Sequence, residues 1–151
     1  MKLRNYTSNV SIEKSLASIE RLLVEAGANH FSKFYGEDKE LVGVLFQLPI
    51  NGIPQTFQLP AKPKAAEKKM LAEIKKPHRG TVARVREQAG RTAWKLLHDW
   101  VHIQVTMIQM EQADAIQIFL PYHFDQQRQQ TFFEKIKGNG FKQLTAARND
   151  I

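Results

Sequence analysis

The chain contains no cysteine among its 151 residues. That excludes disulfides, thiolate metal sites and cysteine nucleophiles, and it suits a reducing compartment. Long apolar runs are missing too. No stretch approaches the roughly 18 apolar residues that a membrane span requires, and the opening MKLRNYTSNV has no apolar core of signal-peptide length. The expectation is a soluble cytoplasmic protein with no membrane partner. Neither phosphate-loop signature, G-x-x-x-x-G-K-[ST] or G-x-G-x-x-G, occurs, and GNG at 138–140 reads as a helix stop and turn. Ser8, Ser11, Ser15, Ser18 and Ser32 have no partnered base, and Glu37, Asp38 and Glu40 read as a solvated turn. Nothing here argues for an enzyme or for a cofactor.

What is present is an ordinary globular composition with an uneven charge. Hydrophobic residues make up 42% of the chain, including nine Phe, and the length fits a single domain over 1–151. The net charge is +7, and residues 62–95 alone hold eleven Lys and Arg against three acids. That segment is +8 and the remainder is −1, so a positive field belongs to one part of the molecule. Such a field concentrates polyanions or acidic protein surfaces.

The periodicity predicts an α+β domain. Ser11 caps a first helix whose apolar positions Ile12, Leu16, Ile19, Leu23 and Ala26 end at Gly27. Strands follow at 30–35, 40–48 and 55–59, with a turn at GEDK and a type I′ turn at Asn51-Gly52. A short basic helix is expected over 65–76, broken by Pro77, then a long helix over 81–112 capped by Thr81. Gly90 inside it suggests a close packing contact. ADAIQIFLPYHF reads as a short strand or a loop laid on the core, and Asp125 as the cap of a last helix carrying Phe132, Phe133 and Ile136. The C-terminal TAARNDI reads as frayed. The assembly is an N-terminal helix, a three-stranded antiparallel meander, and long C-terminal helices packed on one sheet face. The other face is left to solvent or a partner.

The pair His98 and His102 stands at the i, i+4 spacing of a zinc-peptidase helix, with Asp99 where such a motif has glutamate. Asp is one methylene shorter, and no downstream signature supplies a third ligand. On a helical wheel both histidines border the apolar stripe of Trp94, Leu97, Val101 and Ile108 and form a polar seam with Arg91 and Gln109. Core-edge or interface histidines are the favoured reading, ahead of nucleic-acid contacts, with no metal expected.

The nucleic-acid reading rests on Lys68, Lys69, Lys75, Lys76, His78, Arg79, Arg84, Arg86 and Arg91, centred on KKPHRGTVARVR. These residues would contact phosphate, helped by the free N–H groups of the following helix start. Phe34, Tyr35, Trp94 or Trp100 would stack bases only if exposed, and Trp94 is assigned to the core.

VSIEKSLASIERLLVEAGA, the twice-occurring FQLP, RTAWKLLHDWVHIQ and IFLPYHFD resemble, in this order, a family of small uncharacterised proteins of bacteriophages and integrated mobile elements. The resemblance covers nearly the whole chain, and the basic segment is its least family-like stretch. It implies a bacterial cytoplasm and a role in DNA metabolism or interference with the host. It carries over no catalytic or binding residue. The expected function is a non-enzymatic accessory protein, a homo-oligomer, binding nucleic acid (DNA ahead of RNA) through the basic segment. The alternative is an inhibitor or adaptor docking on an acidic surface of a host or phage protein.

Overall fold

A computed structural model describes residues 2–146. Helix α1 spans Ile12–Glu25. Ser11 caps it by accepting from the Lys14 N–H, and Gly27 at φ 100° ends it, its conformation letting the Ala28 N–H reach back to the Leu23 carbonyl. Strands β1 (Asn29–Tyr35), β2 (Leu41–Ile50) and β3 (Ile53–Pro60) form an antiparallel meander in the order β1-β2-β3. Asn51 and Gly52 both have positive φ, as the type I′ turn requires. Of the repeated FQLP, the antiparallel register brings together only the two Phe, placing Phe46 opposite Phe57 with their rings stacked at 5.6 Å.

Alternation along the strands sends Val44, Phe46, Leu48, Phe57 and Leu59 to one face. There they meet Leu16, Ile19 and Leu23 of α1 and Trp94, Leu97, Val101 and Val105 of the long helix α3 (Arg79–Gln109). Helix α2 (Pro63–Ala72) packs along the first half of α3, where Glu67 pairs with Arg86 at 3.3 Å. The predicted contact at Gly90 is present: a Cβ there would lie 3.1 Å from Ile12 Cδ1, so α1 and α3 approach closely at that point.

Several boundaries differ from the sequence reading. Helix α2 starts earlier, because Pro63 fits a first-turn position, and stops at Ala72, before the residues that Pro77 biases away from helix. The cap of α3 is His78, without a side-chain bond, and Thr81 lies inside the first turn. The segment expected to be a strand or loop is helix α4 (Ala115–Phe119) followed by a 3₁₀ turn over Leu120–Tyr122. Asp114 and Gln117 form a reciprocal capping box there, a signal that the apolar composition obscured. Phe119 is fully buried and packs edge-on to Phe46 at 5.3 Å.

Two-residue strands β4 (Phe124–Asp125) and β5 (Gln130–Thr131) make a ribbon beside β3, and helices α5 (Phe132–Gly138) and α6 (Lys142–Thr145) follow. Thr131, not Asp125, caps α5, again in a capping box with Glu134; Asp125 instead accepts from the turn N–H groups of Gln127 and Arg128. The second sheet face is therefore partly covered by the chain itself. Phe124 meets Phe34 at 6.1 Å, and Gln126 reaches Thr56. The TAARNDI tail lies, from residue 147 on, outside the described residues.

Gly43 sets the β2–β3 spacing at one point: a Cβ would fall 2.6 Å from the Leu59 carbonyl oxygen. That oxygen belongs to the ladder and cannot move alone. Gly43→Ala is expected to destabilise the fold by about 2 kcal/mol or more, read as a lower urea midpoint at unchanged slope.

Candidate nucleic-acid interface

The basic segment folds into a helical hairpin, α2 turning back into α3. Lys68 and Lys69 are exposed on α2, Lys75, Lys76 and His78 on the connector, and Arg79, Arg84 and Arg86 on the first turns of α3. Lys64 is tied instead to the β1–β2 turn through Asp38 and Glu40. Among the described residues, Arg86 has Glu67 as an ion-pair partner, while Lys68, Lys69, Lys75, Lys76, Arg79 and Arg84 take part in no ion pair. Helix α3 starts without a side-chain cap and without an acid in its first turn. Its N-terminal dipole and its unsatisfied N–H groups therefore point into the same positive surface.

Arg91 is placed differently. It is half-buried, donates to Gln88 Oε1 at 2.6 Å, and its Nε is buried with no protein partner. It belongs to the packing of α3 and not to the exposed set.

The two histidines also separate. His98 lies between α1 and α3, with Nε2 2.9 Å from Ser18 Oγ and Nδ1 3.0 Å from Asp99 Oδ1. Both ring nitrogens are thus engaged within the protein. His102 is exposed one turn further on, its ring centroid 5.9 Å from that of His98. Among the described residues no three His, Asp or Glu side chains are grouped to hold a metal ion.

Asp99 turns out to be the more informative residue of that motif. Its Oδ1 accepts from Lys95 Nζ at 2.9 Å, and its Oδ2 accepts from Asn5 Nδ2 at 2.9 Å and Arg4 Nε at 3.3 Å. Nearby, Thr92 Oγ1 donates to the Asn5 carbonyl at 2.9 Å and Gln88 Nε2 to the Ser8 carbonyl at 3.0 Å. The N-terminal segment is strapped in this way along α3. Partial burial pushes the Asp99 carboxyl up, but hydrogen bonds from Asn5, Lys95 and His98 outweigh it and hold the pKa well below the usual carboxylate range.

Of the aromatics considered for stacking, Trp94 is buried, Phe34 and Trp100 are half-buried, and Tyr35 is exposed on the far edge strand. The aromatic beside the basic hairpin is Tyr6, 42% exposed on the strapped N-terminal segment. No local pattern in the sequence signalled it. Its position depends on side-chain bonds to residues more than 80 positions away.

Comparison with protein-family models, curated proteins and solved structures gives no significant match.

Asp99→Asn should lower stability by about 1–3 kcal/mol, because Lys95 and Arg4 lose their charged partner in a half-buried setting. The folded pKa lies below the unfolded one, so the wild-type advantage is complete above the unfolded value near ~4 and declines as pH falls below it. Urea midpoints of both proteins between about pH 7 and pH 2 would check this; a gap that fails to narrow in acid would remove the charge from the explanation.

Proposed function

We propose that the chain is a non-enzymatic nucleic-acid-binding protein that places the α2–α3 hairpin on phosphate groups, with DNA as the first candidate and RNA second. The observation that carries this reading is the set of six exposed Lys and Arg side chains, at one end of the molecule, that have no ion-pair partner among the described residues. Lysines and arginines on a protein surface gain little from ion pairs with their own chain. On a phosphate backbone each also releases a condensed counterion. The uncapped start of α3 adds N–H donors to the same surface. The phage or mobile-element setting implied by the sequence resemblance, in a bacterial cytoplasm, is consistent with such a role.

Self-association belongs to this reading. Residues 100–110 carry no Lys, Arg, Asp or Glu, and Leu96, Trp100, Ile103 and Met107 of α3, with Met110 at its C-cap, recur at spacings of 4, 3, 4 and 3. This is the stripe that a second helix packs against. Leu96, Ile103 and Met110 are 46%, 56% and 62% exposed. Two copies packed antiparallel on this stripe would hold their +8 segments at opposite ends, where they repel least. The adaptor alternative would use the same hairpin against an acidic protein surface.

Fluorescence anisotropy with labelled DNA and RNA from about 50 to 200 mM salt tests the reading. Binding should weaken steeply with salt. Replacing Lys75, Lys76, Arg79 and Arg84 with Gln should weaken it by at least about tenfold at low salt and flatten the salt slope by about one per lost phosphate contact. No binding at low salt would reject nucleic acid and leave the adaptor reading, which a nuclease-treated pull-down would then have to support with a stoichiometric protein partner. Ile103→Asp should convert the oligomer to monomer in light scattering. An assembly that survives this change would exclude the α3 stripe.

A further inference from the structure

A groove of about 480 Å³ runs between the N-terminal segment and the α2–α3 hairpin. Leu3, Met70, Ile74 and Val85 supply an apolar floor, and Tyr6 forms one wall. Arg84, one of the exposed cations of the hairpin, lines the same groove, as does Lys2. The Lys2 ammonium lies over the Tyr6 ring, 5.0 Å from its centroid and 3.4 Å from its hydroxyl, so a base stacking on that face would take its place and leave the ammonium to a phosphate. An aromatic wall over an apolar floor, flanked by cations, combines the two elements by which proteins hold a single strand: a platform for a base and a charged track for its backbone.

We infer that this groove takes an unpaired base of a single-stranded nucleic acid, stacked on Tyr6, with the flanking phosphates on Arg84 and Lys2. This rests on the nucleic-acid reading above and narrows it to single strands. A duplex keeps its bases stacked inside and offers only phosphates and groove edges to the hairpin, so it leaves the groove unused. Glu73 also lines the groove. Its carboxylate repels phosphate and accepts hydrogen bonds, so it would favour the amino edge of a base over the backbone, whose phosphates are left to Arg84 and Lys2.

The platform is fixed in place. Tyr6 sits in a turn in which its N–H donates to the Leu3 carbonyl, and the neighbouring Asn5, at φ 65°, is bound to α3 through Thr92 and Asp99. A stacking ring on a backbone held by its own turn and by α3 loses less freedom when a base arrives. Asp99 is in this sense a positioning residue for Tyr6, acting through Asn5.

The test compares a short labelled single strand of mixed sequence with the matching duplex, using the full chain, Tyr6→Ala and Tyr6→Phe. The single strand is expected to bind more tightly than the duplex. Tyr6→Ala should weaken single-strand binding about tenfold or more while leaving duplex binding within about twofold, and Tyr6→Phe, which keeps the ring, should restore most of the loss. Equal binding of single strand and duplex, with Tyr6→Ala without effect on either, overturns the base site while leaving the phosphate-binding hairpin standing. Absence of binding to both at low salt overturns the two together. Circular dichroism identical to wild type confirms that Tyr6→Ala acts on the ligand and not on the fold.

Discussion

Asp99 receives hydrogen bonds from the N-terminal segment and from its own helix, and the placement of that segment, with Tyr6, on α3 depends on them. Lys95 and His98 reach it along α3, Asn5 and Arg4 reach it from the N-terminal segment, and His98 hands the connection on to Ser18 of α1. A carboxylate that is 15% exposed and has this many donors is an economical joint. Its charge is balanced by neighbours that would otherwise be isolated cations. Its hydrogen-bonding capacity is filled, so partial burial carries no unsatisfied group. Without it, the N-terminal segment would lie on α3 by the Thr92 and Gln88 bonds alone. The groove wall that Tyr6 provides would lose its support.

The apolar core is a separate mechanical unit. Phe46 and Phe57 stack across the hairpin, and Phe119 closes on both from the side with ring centroids 5.3 and 6.5 Å away. Trp100 and Tyr122 extend the same edge-on chain outward. This aromatic cluster fixes α4 and the ribbon beside β3, so the C-terminal third is part of the domain and covers some of the second sheet face. The basic hairpin sits at the other end of α3, where α2 has a buried Pro63 at its start but no fully buried side chain beyond it. The hairpin is thus tethered by α3 itself more than by the core. That arrangement lets its surface composition change without disturbing the sheet.

The sequence made the periodic parts legible. The cap and stop of α1 and the Asn51-Gly52 turn each follow from a residue pattern a few positions long, and the α+β architecture follows from these and from the strand and helix periodicity. What remained hidden depended on partners distant in the chain. Asp114 and Gln117 sit in an apolar run that reads equally as strand, so the pattern does not single out α4. Thr81 is a good capping residue three places too late, because the chain enters α3 as soon as it has passed Pro77. The site was legible as charge and illegible as geometry: the cluster at 62–95 announces itself in composition, whereas Arg91 turns inward and Tyr6 joins from the N-terminus. His98 and Asp99 were conspicuous for a spacing that matters little. Their importance comes from Ser18 and Asn5, which no spacing rule connects to them.

The electrostatics of the hairpin are unfavourable within the isolated domain. Cations near a helix N-terminus oppose the dipole, and acids in the first turn would be favourable, yet α3 begins with Arg79 and has no acid there. Lys75 and Lys76 precede it directly, with no carboxylate paired to either among the described residues. Each choice lowers the stability of the isolated domain by a few tenths of a kcal/mol up to about 1 kcal/mol, and all of them point the same way. An anion placed against the start of α3 reverses every one of these terms at once. It satisfies free N–H groups, complements the dipole and neutralises the side chains. On the proposed reading, a polyanion at this surface would recover as binding energy the stability that the free protein gives up there.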